Sequence, residues 1–242
     1  MQSLLYEYWR LTGGKFLDSN KILKRLKIQM LGKIEFAIGL IGGMVISGIG
    51  TYIIRKRKNG LPKGSIVCDN AAMNQESKPP AVAWSRYSVL LGIGFNSFVI
   101  IAGIFLYLFD LPQIMPFLFV DLPLWVNWVG LVGFWLYYYS GIQVIKYNVN
   151  YLPLYKSIPK DYILVTGGPY RIVRHPMYIL KIIGGFLFFF TSGFWLQFFG
   201  VLLAILGLPI QTKGEEKAML ERFGNQYQDY MNRTGRFFPR LK

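Results

Sequence analysis

The stretch Gly167-Gly168-Pro169-Tyr170-Arg171-Ile172-Val173-Arg174-His175-Pro176-Met177-Tyr178, hereafter the 167–178 stretch, joins a basic loop to a long apolar segment. It contains the only histidine of the 242-residue chain. Proline suits the first turn of a helix because it has no backbone N–H to leave unpaired, so Pro176 predicts a helix start with His175 as its cap. Charged groups next to an apolar helix must lie where membrane meets water, and this boundary is a candidate functional site.

The composition around this stretch is typical of a helical membrane protein. The chain is 53% hydrophobic and 17% aromatic, with several apolar runs near 20 residues. The formal charge of +15 comes from basic residues clustered between those runs, as in cytoplasmic loops. Because no basic soluble domain with interleaved aromatic residues is present, we expect no nucleic-acid partner. We predict an all-α, polytopic membrane helical bundle with about five transmembrane helices.

Three of the predicted spans precede the 167–178 stretch. Residues 1–33 form a basic, amphipathic N-terminal segment with seven Lys or Arg, and residues 34–145 hold three spans around a polar loop at 55–86. The three spans are predicted at 34–54, 87–109 and 122–145.

The loops between these spans predict an orientation. Residues 110–121 contain no Lys or Arg and are expected outside, whereas the basic residues 146–175 are expected in the cytoplasm. Five helices and a cytoplasmic C-terminus place the N-terminal segment outside, although that segment is as basic as the 55–86 loop, with seven Lys or Arg each. The sequence therefore leaves the orientation of the first helix open.

The region that follows the 167–178 stretch reads as a hairpin and a tail. Residues 176–210 carry one charge, Lys181, and these 35 residues exceed one crossing but fall slightly short of two full ones. Thr191-Ser192-Gly193 interrupts the run, which predicts two short helices. A cytoplasmic C-terminal helix is predicted at 215–231, with its first two glutamates in the first turn, where the helix dipole favours them.

Several interpretations of these polar residues compete. Unpaired N–H groups at a helix start favour an anionic ligand group, yet a lone histidine before proline is often only a helix cap. The glutamates can equally form a solvated turn, and the arginines can serve as topology determinants. One histidine and one cysteine cannot build a zinc site, so we expect no metal. We find no Ser-His-Asp arrangement and no GxxxxGK sequence.

Two ordered motifs carry a family resemblance. The first is Gly168-Pro169-Tyr170-Arg171-x-x-Arg174-His175-Pro176-x-Tyr178, and the second is Glu215-Glu216-x-x-x-Leu220-x-x-Phe223-Gly224-x-x-Tyr227-x-x-Tyr230-x-x-Arg233. Together they resemble the isoprenylcysteine carboxyl methyltransferase family, to which the phospholipid methyltransferases are similar. The resemblance covers roughly residues 120–242.

The resemblance implies an integral membrane methyltransferase that uses S-adenosylmethionine without a Rossmann domain. Its cofactor pocket is expected at the cytoplasmic face, within a methyltransferase region of residues 146–242. The methyl acceptor is expected to be a lipid-like or small hydrophobic molecule, such as a prenylcysteine carboxylate, that enters sideways from among the membrane lipids. By matching position, the expected cofactor-binding residues are Tyr155, Tyr162, Ile163, Leu164, Val165, Tyr170, His175, Pro176, Met177, Tyr178 and Glu215.

The chain also departs from the family pattern on the substrate side. Gln211 stands where relatives place an arginine that is expected to hold the substrate carboxylate, and Lys213 is a possible substitute without the bidentate fork of arginine. Leu180 stands where the pattern has a glycine. We take Gln211, Lys213 and Arg174 as candidate catalytic residues. A phospholipid N-methyltransferase, an NADPH-dependent sterol-type reductase and a non-enzymatic lipid-binding protein remain alternatives.

Overall fold

The fold was analysed in a computed structural model that describes residues 32–57, 65–66, 94–148 and 162–240. Within these ranges the regular structure is almost entirely helical, as the sequence predicts. The helices are α1, which combines Lys33–Ala37, a π-helical turn Ile38–Gly42 and Gly43–Arg57, α2 (Phe95–Leu108), α3 (Leu111–Ile114), α4 (Leu124–Tyr147), α5 (Pro176–Ser192), α6 (Trp195–Phe223) and α7 (Asn225–Arg233). Two short strands, β1 (Ser65–Ile66) and β2 (Leu164–Val165), pair antiparallel.

Apolar helices make up most of the described part of the chain. Lys33–Lys56 and Trp195–Phe223 are long and apolar enough to cross a membrane, judged by length and composition, and α2 and α5 are shorter apolar helices. This architecture is consistent with a membrane helical bundle, while the number of five crossings stays a prediction. The predicted basic N-terminal segment and most of the 55–86 loop lie outside the described residues.

The hairpin break lies where the sequence predicts it. Helix α5 ends at Ser192, and Gly193 adopts a left-handed backbone conformation with φ +68°. A side chain is excluded there, because a Cβ on Gly193 would come within 2.3 Å of the backbone oxygen of Val120. Glycine is the residue that tolerates both the positive φ and this close approach.

The prediction of a separate tail helix at 215–231 is wrong. Helix α6 continues without interruption through this region to Phe223, and the next break is at Gly224, with φ +51°. The polar residues after Pro209 resemble a loop in sequence, but the backbone stays helical through them. The Thr212 Oγ1 donates to the Leu208 carbonyl, one turn earlier, at 2.9 Å. Glu215 therefore lies well inside a long helix, and the helix dipole does not explain its position.

Contacts between helix ends show which of these ends lie together at one end of the bundle. The Nζ of Lys33, at the start of α1, lies 2.5 Å from Oδ2 of Asp110, which follows the end of α2. At this same end the Val120 N–H donates to the carbonyl of Gly193, in the hairpin turn, at 2.7 Å. The start of α1 thus lies at the end of the bundle opposite to the 167–178 stretch, which agrees with an odd number of crossings.

The core is aromatic and forms where four helices meet. Phe36 of α1 stacks on Tyr107 of α2 with ring centroids 3.9 Å apart, and both pack near Phe188 of α5. Helix α4 runs alongside α5, where the Asn127 Nδ2 donates to the Phe190 carbonyl at 2.9 Å. Close van der Waals contact between these rings stabilises the bundle interior.

Gly130 allows the close approach of α4 to α5 and generates a first prediction. A Cβ at this position would lie 2.6 Å from the backbone nitrogen of Thr191, which cannot move as a side-chain tip can. We expect Gly130→Ala to lower the free energy of unfolding by about 1–3 kcal/mol. The control is Gly141→Ala in the same helix, where nothing lies within 4 Å and the change should stay below about 1 kcal/mol. Thermal unfolding in detergent measures both, and equal shifts would contradict the packing.

Candidate active site

The first half of the 167–178 stretch is a tight turn that packs on the end of α4. Residues Gly168–Arg171 form one 3-10 turn, with Gly168 at φ +59°. A Cβ on Gly168 would come within 2.6 Å of the Tyr147 ring, so the turn can lie flat on that ring only because glycine stands here. The turn directs Tyr170 inward, where its side chain is buried.

The second half of the stretch pairs with the C-terminal tail. The Arg174 N–H donates to the Gly235 carbonyl at 2.9 Å, and the His175 N–H donates to the Arg236 carbonyl at 3.2 Å. The sequence analysis predicts that unpaired N–H groups at this helix start favour an anionic group of a ligand. In the structure the His175 N–H bonds the tail instead, because residues 235–236 run alongside residues 174–175.

A buried carboxylate connects the tail, the stretch and α6. Glu216 is 3% exposed and accepts from the Arg174 Nε at 2.7 Å and from the Arg236 Nε at 3.0 Å. The Nη2 of Arg236 is a further donor to the same oxygen, Oε2. The Nε2 of His175 lies 3.3 Å from Glu216 Oε1. We call Arg174, Glu216 and Arg236 the tail clamp, because they join three separate segments through one carboxylate.

The neighbouring carboxylate belongs to a second polar group. Glu215 Oε1 accepts from the Tyr178 hydroxyl and from the Gln211 Nε2, the latter at 2.9 Å. Its Oε2 lies 3.6 Å from Nδ1 of His175. The His175 ring stacks parallel to the Tyr178 ring with centroids 5.5 Å apart. Since Glu215 and Glu216 face different sides of α6, the histidine lies between two carboxylates.

These residues surround a cavity that opens to the surface. The strand pair of β1 with β2 lies next to it, because Leu164 and Val165 are lining residues. The lining residues are Asn148, Tyr162, Leu164, Val165, Tyr170, Arg174, His175, Pro176, Met177, Tyr178, Glu215, Met219, Tyr227 and Tyr230.

The tyrosines of this cavity are neutral hydrogen-bonding groups at physiological pH. Burial, with the charge of Glu215 as a smaller cause, raises the pKa of Tyr162 to about 12. Burial also raises the pKa of Tyr170 well above its ordinary value, against the lowering effect of its bond with Asn148. Both rings therefore offer an uncharged aromatic face and a hydroxyl group.

The structure gathers most of the residues that the sequence proposes for cofactor binding around this one cavity. Ile163 is half-buried and does not line it, and Tyr155 lies outside the described residues. Gln211 lies behind Tyr178 and Glu215 and reaches the cavity through them. Lys213 is exposed, two residues and hence about 200° around the helix from Gln211, so its position does not support a role at the cavity.

Four lining residues were missed as site residues in the sequence: Asn148, Met219, Tyr227 and Tyr230. The helical spacing of the last three was assigned to packing, although packing and cavity lining use the same face of a helix. Asn148 is a polar residue directly after a long apolar helix, which is a weak signal. Its Oδ1 is buried and has no hydrogen-bond partner among the described residues.

The described part of the chain holds no group of three or more His, Cys, Asp or Glu residues that could bind a metal ion. The acidic residues at the cavity are instead occupied by histidine, tyrosine, amide and guanidinium partners.

The tail clamp predicts that substitutions at two glutamates of α6 change the free energy of unfolding by very different amounts. Glu216→Gln removes the charge that faces two arginines, and we expect the free energy of unfolding to fall by about 3 kcal/mol. Glu221→Gln is the control, because Glu221 is 60% exposed and only 4.0 Å from the exposed Lys217, a pair worth less than about 1 kcal/mol. Thermal unfolding and limited proteolysis of the tail measure the difference. Similar stability of the two variants would refute the clamp.

Comparison with known proteins finds similarities for a segment that contains most of the cavity residues. Residues 125–226 match the family model described as phospholipid methyltransferase. A nickel-cobalt-cadmium resistance protein of Alcaligenes xylosoxydans xylosoxydans is 36% identical over 102 residues, which cover 42% of this chain and 47% of that protein. A cobalt-zinc-cadmium resistance protein of Cupriavidus metallidurans is 30% identical over 102 residues, with the same coverage.

A third relative bears an enzyme name. Methanethiol S-methyltransferase of Pseudomonas deceptionensis is 30% identical over 124 residues, which cover 49% of this chain and 44% of that protein. The matches thus span less than half the length of each of these relatives. The family-model match includes α5, α6, nearly all of α4 and the two motifs of the sequence analysis up to Gln226. Residues 125–226 are therefore similar to the phospholipid methyltransferase family, which confirms the resemblance that the two motifs indicate.

Proposed function

We propose that the protein is an integral membrane methyltransferase that uses S-adenosylmethionine and methylates a lipid-like or small hydrophobic acceptor. The observation that carries the proposal is the cavity between the 167–178 stretch and α6. Glu215, His175 and Tyr178 contact one another there, and buried tyrosines line the same cavity. The match of residues 125–226 to the phospholipid methyltransferase family model supports the same reaction class.

The chemistry of the lining residues fits this cofactor. S-adenosylmethionine, when bound, supplies a methyl group activated on a sulfonium cation and carries an adenine, a ribose and an amino acid. The aromatic rings of Tyr170 and Tyr178 suit a cation or a flat base. The unpartnered Asn148 Oδ1 would accept from an N–H donor, and Glu215 supplies a carboxylate for a cationic or hydroxyl group.

The residues around Glu215 hold this carboxylate in position. Tyr178 and Gln211 both donate to Oε1, which leaves Oε2 directed to the side of His175. Buried hydrogen bonds of this kind keep the carboxylate oriented without help from water. In a site drier than bulk water, its charge acts more strongly on a cationic ligand than it would at the surface.

The residues of the tail clamp position His175 and do not face the acceptor. Arg174 lines the cavity only at its edge, since its guanidinium group bonds Glu216, Met231 and Thr234 through their oxygens. We therefore assign Arg174 to holding the tail in place. For the transfer itself, alignment of acceptor, methyl and leaving sulfur in this closed geometry would supply most of the rate.

The acceptor and the membrane orientation belong to the proposal as well. The relatives' names point to a thiol in one protein and to metal resistance in two others. Apolar residues of α6 such as Leu202, Leu206 and Ile210 are exposed, as a membrane-embedded surface requires. We place the cavity at the cytoplasmic face of a multi-pass protein, because the 167–178 stretch that lines it closes the basic region 146–175 in the sequence.

A titration with S-adenosylhomocysteine tests the cofactor assignment. The wild-type protein in detergent should bind it, and Glu215→Gln should weaken binding by about tenfold or more, because the carboxylate charge is lost from a buried site. Glu221→Gln, on the exposed face of the same helix, should bind like the wild type. Calorimetric titration, with thermal unfolding to verify the fold, makes the measurement. Absence of binding in folded wild-type protein, or protection by NADPH in its place, would overturn the assignment.

A further inference from the structure

We propose that the C-terminal tail and the 167–178 stretch together form a docking surface for anionic lipid head groups, separate from the cavity. The surface consists of Arg171, Ile172, Phe238 and Arg240, hereafter the tail patch. A bilayer that contacts this patch holds the tail against the start of α5. The charge of the membrane surface therefore controls how firmly the tail is docked at this end of the bundle.

The four residues of the tail patch come from two segments that the structure brings together. Val173 pairs with Gly235 as a parallel β-bridge, and the tail then turns back on itself. A Cβ on Gly235 would lie 3.3 Å from the Arg240 backbone nitrogen, and closer still to the backbone of Phe238. The two patch residues of the stretch directly precede Val173. The tip of the tail therefore lies beside the exposed part of the stretch.

Consecutive aromatic residues of the tail face opposite ways. Phe237 is half-buried, and its ring centroid lies 6.0 Å from that of the His175 ring. Phe238 is 81% exposed, and Ile172 of the stretch is 56% exposed. Among the described residues at the end of the bundle that holds the site, these two are the exposed large apolar side chains outside the helices. Apolar side chains in such a position suit the boundary between head groups and acyl chains.

The tail patch lies at the level where the membrane is expected to begin. Helix α5 is apolar from its start at Pro176, and the stretch reaches this start from the basic region 146–175. The N–H groups of Arg174 and His175 donate to tail carbonyls, which keeps the tail at the same level as the helix start. Lipid head groups occupy this boundary, where aromatic and basic residues are enriched in membrane proteins.

The charge of the tail patch favours anionic lipids over neutral ones. Arg171 and Arg240 are both exposed, and neither forms an ion pair with a carboxylate in the part of the chain that the structure describes. The Arg240 Nη1 donates to the Asn232 carbonyl at 2.6 Å, and this neutral partner does not compensate the guanidinium charge. Because one arginine belongs to the stretch and the other to the tail, an anionic surface that attracts both joins the two segments.

Hydrogen exchange of the Arg174 and His175 amides reports whether the tail is docked, because both amides donate to tail carbonyls. The wild-type protein is compared in nanodiscs of phosphatidylcholine alone and of equimolar phosphatidylcholine and phosphatidylglycerol. We expect the peptide with these two amides to exchange about fivefold more slowly in the anionic nanodiscs, the size of effect that one arginine near an anionic surface supplies. Mass spectrometry measures the exchange.

Two substitutions remove the two components of the tail patch. Arg171→Gln removes a charge and Phe238→Ser removes an exposed ring, so each should abolish most of the difference between the two nanodiscs. Both side chains are exposed, and thermal unfolding verifies that the variants fold. Arg171→Lys keeps the charge and should behave like the wild type. The matched aromatic control is Phe117→Ser, because Phe117 is 72% exposed beside the hairpin turn at the opposite end of the bundle.

Two outcomes would overturn the proposal. Equal exchange of the wild-type protein in both nanodiscs would leave the tail patch as a surface for another protein or for water. A difference that persists in folded Arg171→Gln and Phe238→Ser would show that anionic lipids act elsewhere on the molecule. The measurement needs no cofactor, so either outcome leaves the proposed function untouched.

Discussion

The site depends on one buried charge, the carboxylate of Glu216. Two guanidinium groups from different segments converge on it, Arg174 from the 167–178 stretch and Arg236 from the C-terminal tail. A buried carboxylate without these partners would be strongly unfavourable, so the three segments must come together for the fold to be stable. The backbone bonds of residues 174–175 to the tail follow from that approach, and they fix the start of α5.

The two adjacent glutamates of α6 contact different groups, because neighbouring residues of a helix point in different directions. Successive residues of a helix point about 100° apart, so Glu216 faces the clamp while Glu215 faces the cavity. His175 contacts both, with one ring nitrogen towards each carboxylate. The histidine is therefore placed by the clamp and presented to the ligand, which suits a cofactor-orienting residue better than an isolated acid–base catalyst.

The sequence and the structure differ most in α6. The polar run after Pro209 looks like the end of a membrane helix, which led to a separate tail helix in the sequence prediction. Gln211 and Thr212 are nevertheless buried. Tyr178 and Glu215 accept from the Gln211 amide nitrogen, and the Leu208 carbonyl accepts from the Thr212 hydroxyl. Such long-range partners are invisible in local periodicity. Local periodicity also does not reveal that Lys213, a candidate substrate-binding residue, is exposed. Nor does it reveal that Asn148, at the end of another helix, lines the cavity.

The sequence by itself determined the helical, membrane-type character of the chain, the hairpin break at Gly193 and the family resemblance, because composition, glycine positions and motif spacing are local properties. It also brought forward most residues of the cavity, since the two motifs carry them. Only the tertiary structure decided that α1 begins at the opposite end from the site, that the tail occupies the start of α5, and that the carbonyl of Gln211 has no hydrogen-bond partner among the described residues. These depend on which distant groups meet, and hydrogen bonds and ion pairs across 20 to 77 residues decide them.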